Sequence, residues 1–158
     1  MQKLPLQTFQ KKIHRIDLSN IFPLTRKRAS HGADIEAVTF VPITIGIEEK
    51  NSALEAYDAM GQIKRYLREY DVVFVKVPLS SDDNMIEDLI YEMSALNVGV
   101  MFSLNSRNHD EVIVVKKPKF TLIKGGRAEN ILRDVNPNLL DLRETLYKLF
   151  EPENPKKR

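Results

Sequence analysis

The segment Ile43–Lys50 constrains the fold of this chain most strongly, because its side chains alternate between two kinds. Isoleucines at positions 43, 45 and 47 alternate with Thr44, Gly46 and Glu48. Successive side chains of a β-strand point to opposite faces, so the pattern predicts a strand with one apolar and one small, polar face. Glu48 and Lys50 fall together on the polar face, and Glu49 falls on the isoleucine face.

A helix is predicted directly after this strand. Ser52 and Glu55 have the spacing of a capping box, in which both side chains bind main-chain N–H groups at a helix start. Gln62 and Tyr66 lie four residues apart on a flanking face, where helix side chains are neighbours. Apolar residues at helical spacing form the predicted buried face, and they are Ala56, Ala59, Met60, Ile63, Leu67 and Tyr70.

A second predicted strand supplies another carboxylate. Residues 34–41 alternate weakly, and Pro42 ends them with a tight turn, so the two strands are expected to be antiparallel neighbours with Asp34 beside Glu48. Two carboxylates can bind a hard divalent cation, which polarises a phosphoryl group and lowers the pKa of bound water. A nearby lysine can orient that water or neutralise transition-state charge. The combination predicts phosphodiester hydrolysis, although Glu-Glu-Lys alone is more often an exposed strand end. Glu36, on the same face as Asp34, is the alternative ligand.

Three motifs occur in order along the chain: GAD at residues 32–34, IEEK at residues 47–50 and QIKRY at residues 62–66. Over residues 30–105 this ordered set resembles the signature of the PD-(D/E)XK nuclease superfamily, in particular its RecB-like branch with a Gln-x-x-x-Tyr motif. The resemblance implies a restriction-endonuclease-like α/β fold, in which helices flank a mixed central β-sheet.

The resemblance also implies the roles of individual residues. Asp34 and Glu48 would bind Mg²⁺ or Mn²⁺, and the main-chain carbonyl of Glu49 would be a further metal ligand. Lys50 would be the catalytic lysine.

The resemblance includes two further residues, and the chain departs from the family pattern at two positions. Gln62 and Tyr66 would support the site or contact the substrate strand. The family usually has a glutamate on its first helix, whereas the only acid before Asp34 here is Asp17. Either Asp17 replaces that glutamate or the ligand is missing, which bears on activity more than on fold. Ala33 also stands where the family nominally has proline.

The charge of the chain is nearly balanced, with 24 Lys and Arg against 22 Asp and Glu, so its distribution is more informative than its sum. Basic clusters near a metal site are suited to the phosphates of nucleic acid, and DNA is the expected partner. A charged run is otherwise an ordinary solvated surface. The residues assigned to substrate binding are Arg26, Lys27, Arg28, Lys116, Lys117 and Lys119.

The length of 158 residues predicts a single domain over residues 1–150 and a mobile basic tail over residues 151–158. No apolar run approaches the roughly 20 residues of a membrane helix, and no signal-peptide block is recognisable, so a soluble, cytoplasmic protein without a membrane partner is expected. The absence of cysteine excludes disulfides and thiolate metal sites.

The remaining pattern predicts a helix over residues 6–16, strands over 72–77, 98–102 and 111–115, and helices over 83–96 and 139–150. The strand–helix–strand order predicts parallel neighbours and therefore a mixed sheet. The strand over 111–115 is placed at the sheet edge, and residues 120–123 are a candidate for one more strand. The Gly125-Gly126 pair is interpreted as a flexible turn or as a close approach to phosphate.

The predicted function is therefore a divalent-metal-dependent nuclease acting on DNA, with a homodimer as the form that would pair two active sites. Two alternatives stay open. One is a non-catalytic nucleic-acid-binding or assembly protein on the same fold, and the other is a protein-interaction domain.

Overall fold

A computed structural model describes residues 15–17, 24–27, 32–38, 42–80, 83–104, 111–150 and 152, with main chain alone for the first two ranges. The strands are β1 (Arg15–Asp17), β2 (Leu24–Lys27), β3 (Ile35–Val38), β4 (Thr44–Glu49), β5 (Val72–Pro78), β6 (Val98–Ser103) and β7 (Glu111–Lys116). The helices are α1 (Ala53–Asp58), α2 (Met60–Tyr66), α3 (Ile86–Ser94), α4 (Gly126–Val135) and α5 (Asn138–Leu149).

All seven strands form one sheet, in the order β1-β7-β6-β5-β4-β3-β2. The central strands β4, β5 and β6 are parallel, and the outer pairs on both sides are antiparallel. Helices connect the strands of each parallel pair, because a parallel crossover needs a long connection. Helices α1 and α2 connect β4 to β5, and α3 connects β5 to β6. The predicted α/β class, a mixed sheet flanked by helices, is confirmed.

The core lies on both faces of the central strands. On one face Val73, Val75 and Val100 pack in a cluster with residues of α1, α2 and α3. On the other face a second cluster surrounds Ile47 and Phe74. A strand that is buried on both sides carries a nearly continuous apolar run, as β5 does. Glu48 belongs to the face that the helices cover, since it alternates with Ile47.

A second set of contacts, here named the Arg143 network, fastens α5 to the sheet. The Arg143 guanidinium donates to both carboxylate oxygens of Asp71, at 2.5 and 2.7 Å, and both residues are fully buried. It also donates to the carbonyls of Pro42 and Ile123, and its Nε donates to the Tyr147 hydroxyl at 2.9 Å. The network therefore joins α5 to Pro42, just before β4, and to Asp71, just before β5.

The structure corrects several sequence-based predictions. Residues 15 and 16 belong to strand β1, whereas residues 6–14 of the predicted helix lie outside the described residues. Strand β7 is not at the edge, because β1 pairs with its outer side. Residues 120–123 form no extended strand. The predicted tail lies outside the described residues except for residue 152.

Helix α4 was missed altogether. Gly125 and Gly126 have φ angles of +80° and +66°, which residues with a Cβ rarely adopt, and Gly126 is the first residue of the helix. The pair is thus the ordered start of a helix and not a flexible turn. Ala128, Ile131 and Leu132 form its buried face at helical spacing.

Candidate functional site

The antiparallel pairing of β3 with β4 brings Asp34 to the end of β4. Ile35 lies opposite Ile47, so Asp34, one residue before β3, lies beside Glu48. One Asp34 carboxylate oxygen accepts a hydrogen bond from the main-chain N–H of Glu49 at 2.7 Å. The antiparallel register of β3 and β4 therefore produces the convergence of Asp34 and Glu48 that the sequence predicted.

Glu48 is the most unusual residue of this group. Its side chain is only 4% exposed, and its Oε2 atom has no hydrogen-bond partner among the described residues. Its Oε1 atom lies 3.7 Å from Lys50 Nζ. Burial raises the pKa of Glu48 to about 7, and the neighbouring Asp34 carboxylate adds to this rise, against smaller opposing effects of Tyr66 and Lys50. The Lys50 charge therefore offsets only part of the cost of ionising this buried carboxylate.

The main chain of Glu49 adds a third oxygen at this position. In an antiparallel strand pair, the N–H and C=O of one residue point to the same side. Because the Glu49 N–H points to the Asp34 side of β4, regular strand geometry directs the Glu49 carbonyl to that side as well. Its side chain lies on the opposite face, 42% exposed and 3.9 Å from Lys76 Nζ, so it does not join the group.

These atoms fit a divalent cation of the magnesium type. Two carboxylates and a carbonyl are hard oxygen ligands, and Mg²⁺ usually keeps several waters besides one or two carboxylates. The orphaned Oε2 of Glu48 is the atom that such an ion would satisfy. No group of three or more acidic or histidine side chains with metal-binding geometry occurs among the described residues, so in that part of the chain Asp34 and Glu48 are the acidic side chains of the site.

Asp17 does not replace the glutamate that the family resemblance implies. It lies in β1, which is separated from β4 by β7, β6 and β5. Four strand spacings of about 4.8 Å place the two strands roughly 19 Å apart, beyond the reach of a shared ion.

The side chains of Gln62 and Tyr66, both in α2, contact each other and the main chain before Asp34. The Tyr66 hydroxyl donates to the Gly32 carbonyl at 3.1 Å and accepts from Gln62 Nε2 at 2.9 Å. Burial and the charge of Glu48 raise the pKa of Tyr66 to about 12, so its hydroxyl is protonated at neutral pH. Tyr66 is buried, and its hydrogen bond with Gln62 agrees with the prediction that the two side chains are neighbours on one helix face. The pair therefore supports the loop that carries Asp34.

Two residues of the site were missed in this role, Tyr70 and Arg127. The Tyr70 hydroxyl donates to Glu36 at 2.5 Å and accepts from the main-chain N–H of Ala33 at 2.9 Å. Arg127 Nε lies 2.9 Å from the same Glu36 oxygen and 3.0 Å from the Tyr70 hydroxyl. We name this set the Arg127 network. Glu36 Oε2 is engaged by both side chains there, which favours Asp34 over Glu36, the alternative metal ligand.

The two basic clusters lie in different places. The main chain of Arg26 and Lys27 pairs with β3, next to Asp34, whereas Arg28 lies outside the described residues.

Lys116, Lys117 and Lys119 do not join the site. Strands β5 and β6 separate β7 from β4, and the Lys116 ammonium donates to the carbonyls of Val98 and Leu96, where β6 begins. Burial and the charge of Lys119 lower the pKa of Lys116.

Fold and site together define a mixed α/β protein with an acidic group at the carboxyl end of a central strand. Its fold is similar to that of a protein of unknown function from Silicibacter pomeroyi, with a TM-score of 0.54, 13% sequence identity and 82% of each chain covered. At that identity the likeness shows the fold alone. No protein-family model and no curated protein matches the chain. Among the described helices, none has both the length and the apolar composition for crossing a membrane.

Proposed function

We propose that this protein is a divalent-metal-dependent nuclease that hydrolyses phosphodiester bonds, with DNA as its substrate. The observation that carries the proposal is the buried Glu48 carboxylate, which has one unpartnered oxygen and lies between Asp34 and Lys50. The ordered motifs that resemble the RecB-like branch of the PD-(D/E)XK superfamily support the same assignment. A cytoplasmic location and a homodimer are parts of this proposal.

Asp34, Glu48 and the Glu49 carbonyl would hold Mg²⁺ or Mn²⁺. When bound, the ion would polarise the phosphoryl group and lower the pKa of a water ligand. Lys50, with a side chain that is 25% exposed, faces solvent and Glu48 at once. Its ammonium can therefore orient the attacking water or neutralise the charge that develops on the phosphate oxygens. Tyr66 and Gln62 hold the loop before Asp34 in place.

A second candidate function is nucleic-acid binding without cleavage. The limited ligand set favours it, since among the described residues no third acidic side chain completes the site. Such a protein would keep the fold while lacking hydrolysis.

The test compares cleavage by the parent and by isosteric variants. Purified protein is incubated with linear, circular and single-stranded DNA in Mg²⁺ or Mn²⁺. Glu48→Gln and Lys50→Met are each expected to lower the cleavage rate by about a hundredfold or more, because each removes a charge that acts on the reacting phosphate.

Glu144→Gln and Lys148→Met are the matched controls, since they make the same changes at exposed positions of α5. Cleavage that all four variants retain would show a contaminating nuclease and contradict the proposal. Salt-sensitive DNA binding without cleavage by the parent would support the second candidate.

A further inference from the structure

The Tyr70 hydroxyl lies at the centre of the Arg127 network and has its full set of hydrogen bonds. It donates to Glu36 and accepts from Arg127 Nε and from the Ala33 N–H, and a tyrosine hydroxyl has one proton and two acceptor sites. Ala33 is the residue immediately before Asp34. The hydroxyl therefore connects a buried ion pair directly to the main chain that carries the candidate ligand.

The chain makes room for Tyr70 at two glycines. A Cβ at Gly46 would lie 2.6 Å from the Tyr70 ring, and a Cβ at Gly32 would overlap its hydroxyl. The small residue on the polar face of β4 thus allows the ring to cross that strand. The glycine of the GAD motif allows the loop to approach the hydroxyl.

Asp34 is consequently held on three sides. Tyr66 binds the Gly32 carbonyl, Tyr70 binds the Ala33 N–H, and the Asp34 carboxylate itself accepts from the Glu49 N–H. A ligand keeps its geometry when the groups around it are themselves fixed by hydrogen bonds.

We propose that Tyr70, held by Arg127 and Glu36, is a positioning residue for the Asp34 carboxylate. The importance of this position for catalysis rests on the proposed function, in which Asp34 binds the metal. The positioning itself is a property of the metal-free protein and can be measured there.

The Glu49 amide reports on this arrangement, because its hydrogen bond goes to the Asp34 side chain. The neighbouring Lys50 amide is an internal reference, since it donates to the Lys76 carbonyl of β5 at 2.9 Å. In Tyr70→Phe, hydrogen exchange measured by NMR is expected to accelerate about tenfold at the Glu49 amide, which corresponds to the loss of about one hydrogen bond. Exchange at the Lys50 amide is expected to stay unchanged.

Tyr147→Phe is the matched control. Like Tyr70→Phe, this change removes a hydroxyl that bonds an arginine and a glutamate, here Arg143 and Glu129. Tyr147 belongs to the Arg143 network and is partly buried. Glu49 exchange should be unaltered in this variant. Arg127→Met is a second variant that breaks the network at a side chain that is 23% exposed, and it should reproduce the effect of Tyr70→Phe.

Two results would overturn the positioning role. One is equal acceleration at Glu49 and Lys50, which would indicate general destabilisation. The other is an unchanged Glu49 amide in folded Tyr70→Phe or Arg127→Met.

Binding of Mn²⁺ in the absence of DNA separates this inference from the proposed function. Tyr70→Phe is expected to weaken Mn²⁺ binding about tenfold or more, and Tyr147→Phe to leave it within about twofold. A parent that binds no Mn²⁺ would contradict the proposed function, while the amide comparison would still decide whether Tyr70 positions Asp34.

Discussion

Two networks of the same three residue types, arginine, carboxylate and tyrosine, contact β4 two residues apart, one through Asp71 beside Thr44 and the other through Tyr70 beside Gly46. In the Arg143 network, the guanidinium and both oxygens of Asp71 are fully buried and paired in two parallel hydrogen bonds. In the Arg127 network, a single guanidinium nitrogen serves both Glu36 and Tyr70, and the arginine is partly exposed. The two networks therefore use the same side-chain types, but they differ in burial and in how the guanidinium pairs with the carboxylate.

The difference lies in which main-chain groups each network holds. The Arg143 network binds the carbonyls of Pro42 and Ile123, which connect elements of the fold and carry no candidate function. The Arg127 network binds the Ala33 N–H, one residue from Asp34. A closed, bidentate pair stabilises the fold, whereas the more open network also positions the site.

The largest effect is expected for Arg143→Met. This change leaves the Asp71 carboxylate fully buried without its counter-charge, which costs about 3–5 kcal/mol. Arg127→Met should cost less, because its ion pair is partly exposed. Urea denaturation of both variants measures the difference, and equal losses would remove the distinction between the two networks.

The next largest effect is a pH dependence of stability, which we expect from Glu48 in the candidate site and not from the Arg143 network. The pKa of Glu48 rises from 4.5 to about 7 on folding, so between these values the folded protein binds more protons than the unfolded chain. Metal-free protein should therefore lose stability as pH rises from about 4.5 to 7, by up to about 3 kcal/mol.

Urea denaturation across this pH range is the measurement. Glu48→Gln should abolish this part of the pH dependence, and Mn²⁺ should offset it above pH 7. Arg143→Met should retain it, because the change lies in the Arg143 network. A dependence that persists unchanged in Glu48→Gln would assign it to another group.

A smaller effect is expected for Gly32→Ala. The new Cβ would clash with the Tyr70 hydroxyl and with the Arg127 guanidinium, so the variant should lose about 1–3 kcal/mol and bind Mn²⁺ more weakly. Gly61→Ala is the control, since a Cβ there meets nothing within 4 Å and alanine favours the helix by about 0.8–1 kcal/mol. Thermal unfolding should shift in opposite directions, and a neutral Gly32→Ala would mean that the loop moves away from Tyr70 freely.

Local patterns predicted the centre of the fold well. The alternation in β4, the capping box at Ser52 and the apolar run of β5 each gave the right element, and Ser52 indeed accepts from the Glu55 N–H. The turn at Pro42 also gave the neighbourhood of Asp34 and Glu48 correctly. These features depend on residues that are close in sequence.

The missed features depend on distant residues. Arg127 contacts Glu36 across 91 positions, and Arg143 contacts Asp71 across 72, so no local spacing signals either pair. Helix α4 did carry a signal, the spacing of Ala128, Ile131 and Leu132, but the glycine pair at its start favoured a turn. The charge run at Lys116 looked exposed in the sequence, whereas main-chain carbonyls bind its ammonium.

The attachment of α5 through Arg143 limits how the protein can be shortened. A fragment over residues 30–105 contains the three motifs but omits the cation that neutralises Asp71. That fragment would bury an uncompensated carboxylate between β4 and β5, or would stay open to hydrate it. The shortest autonomous folding unit therefore extends to α5, far beyond the last motif residue.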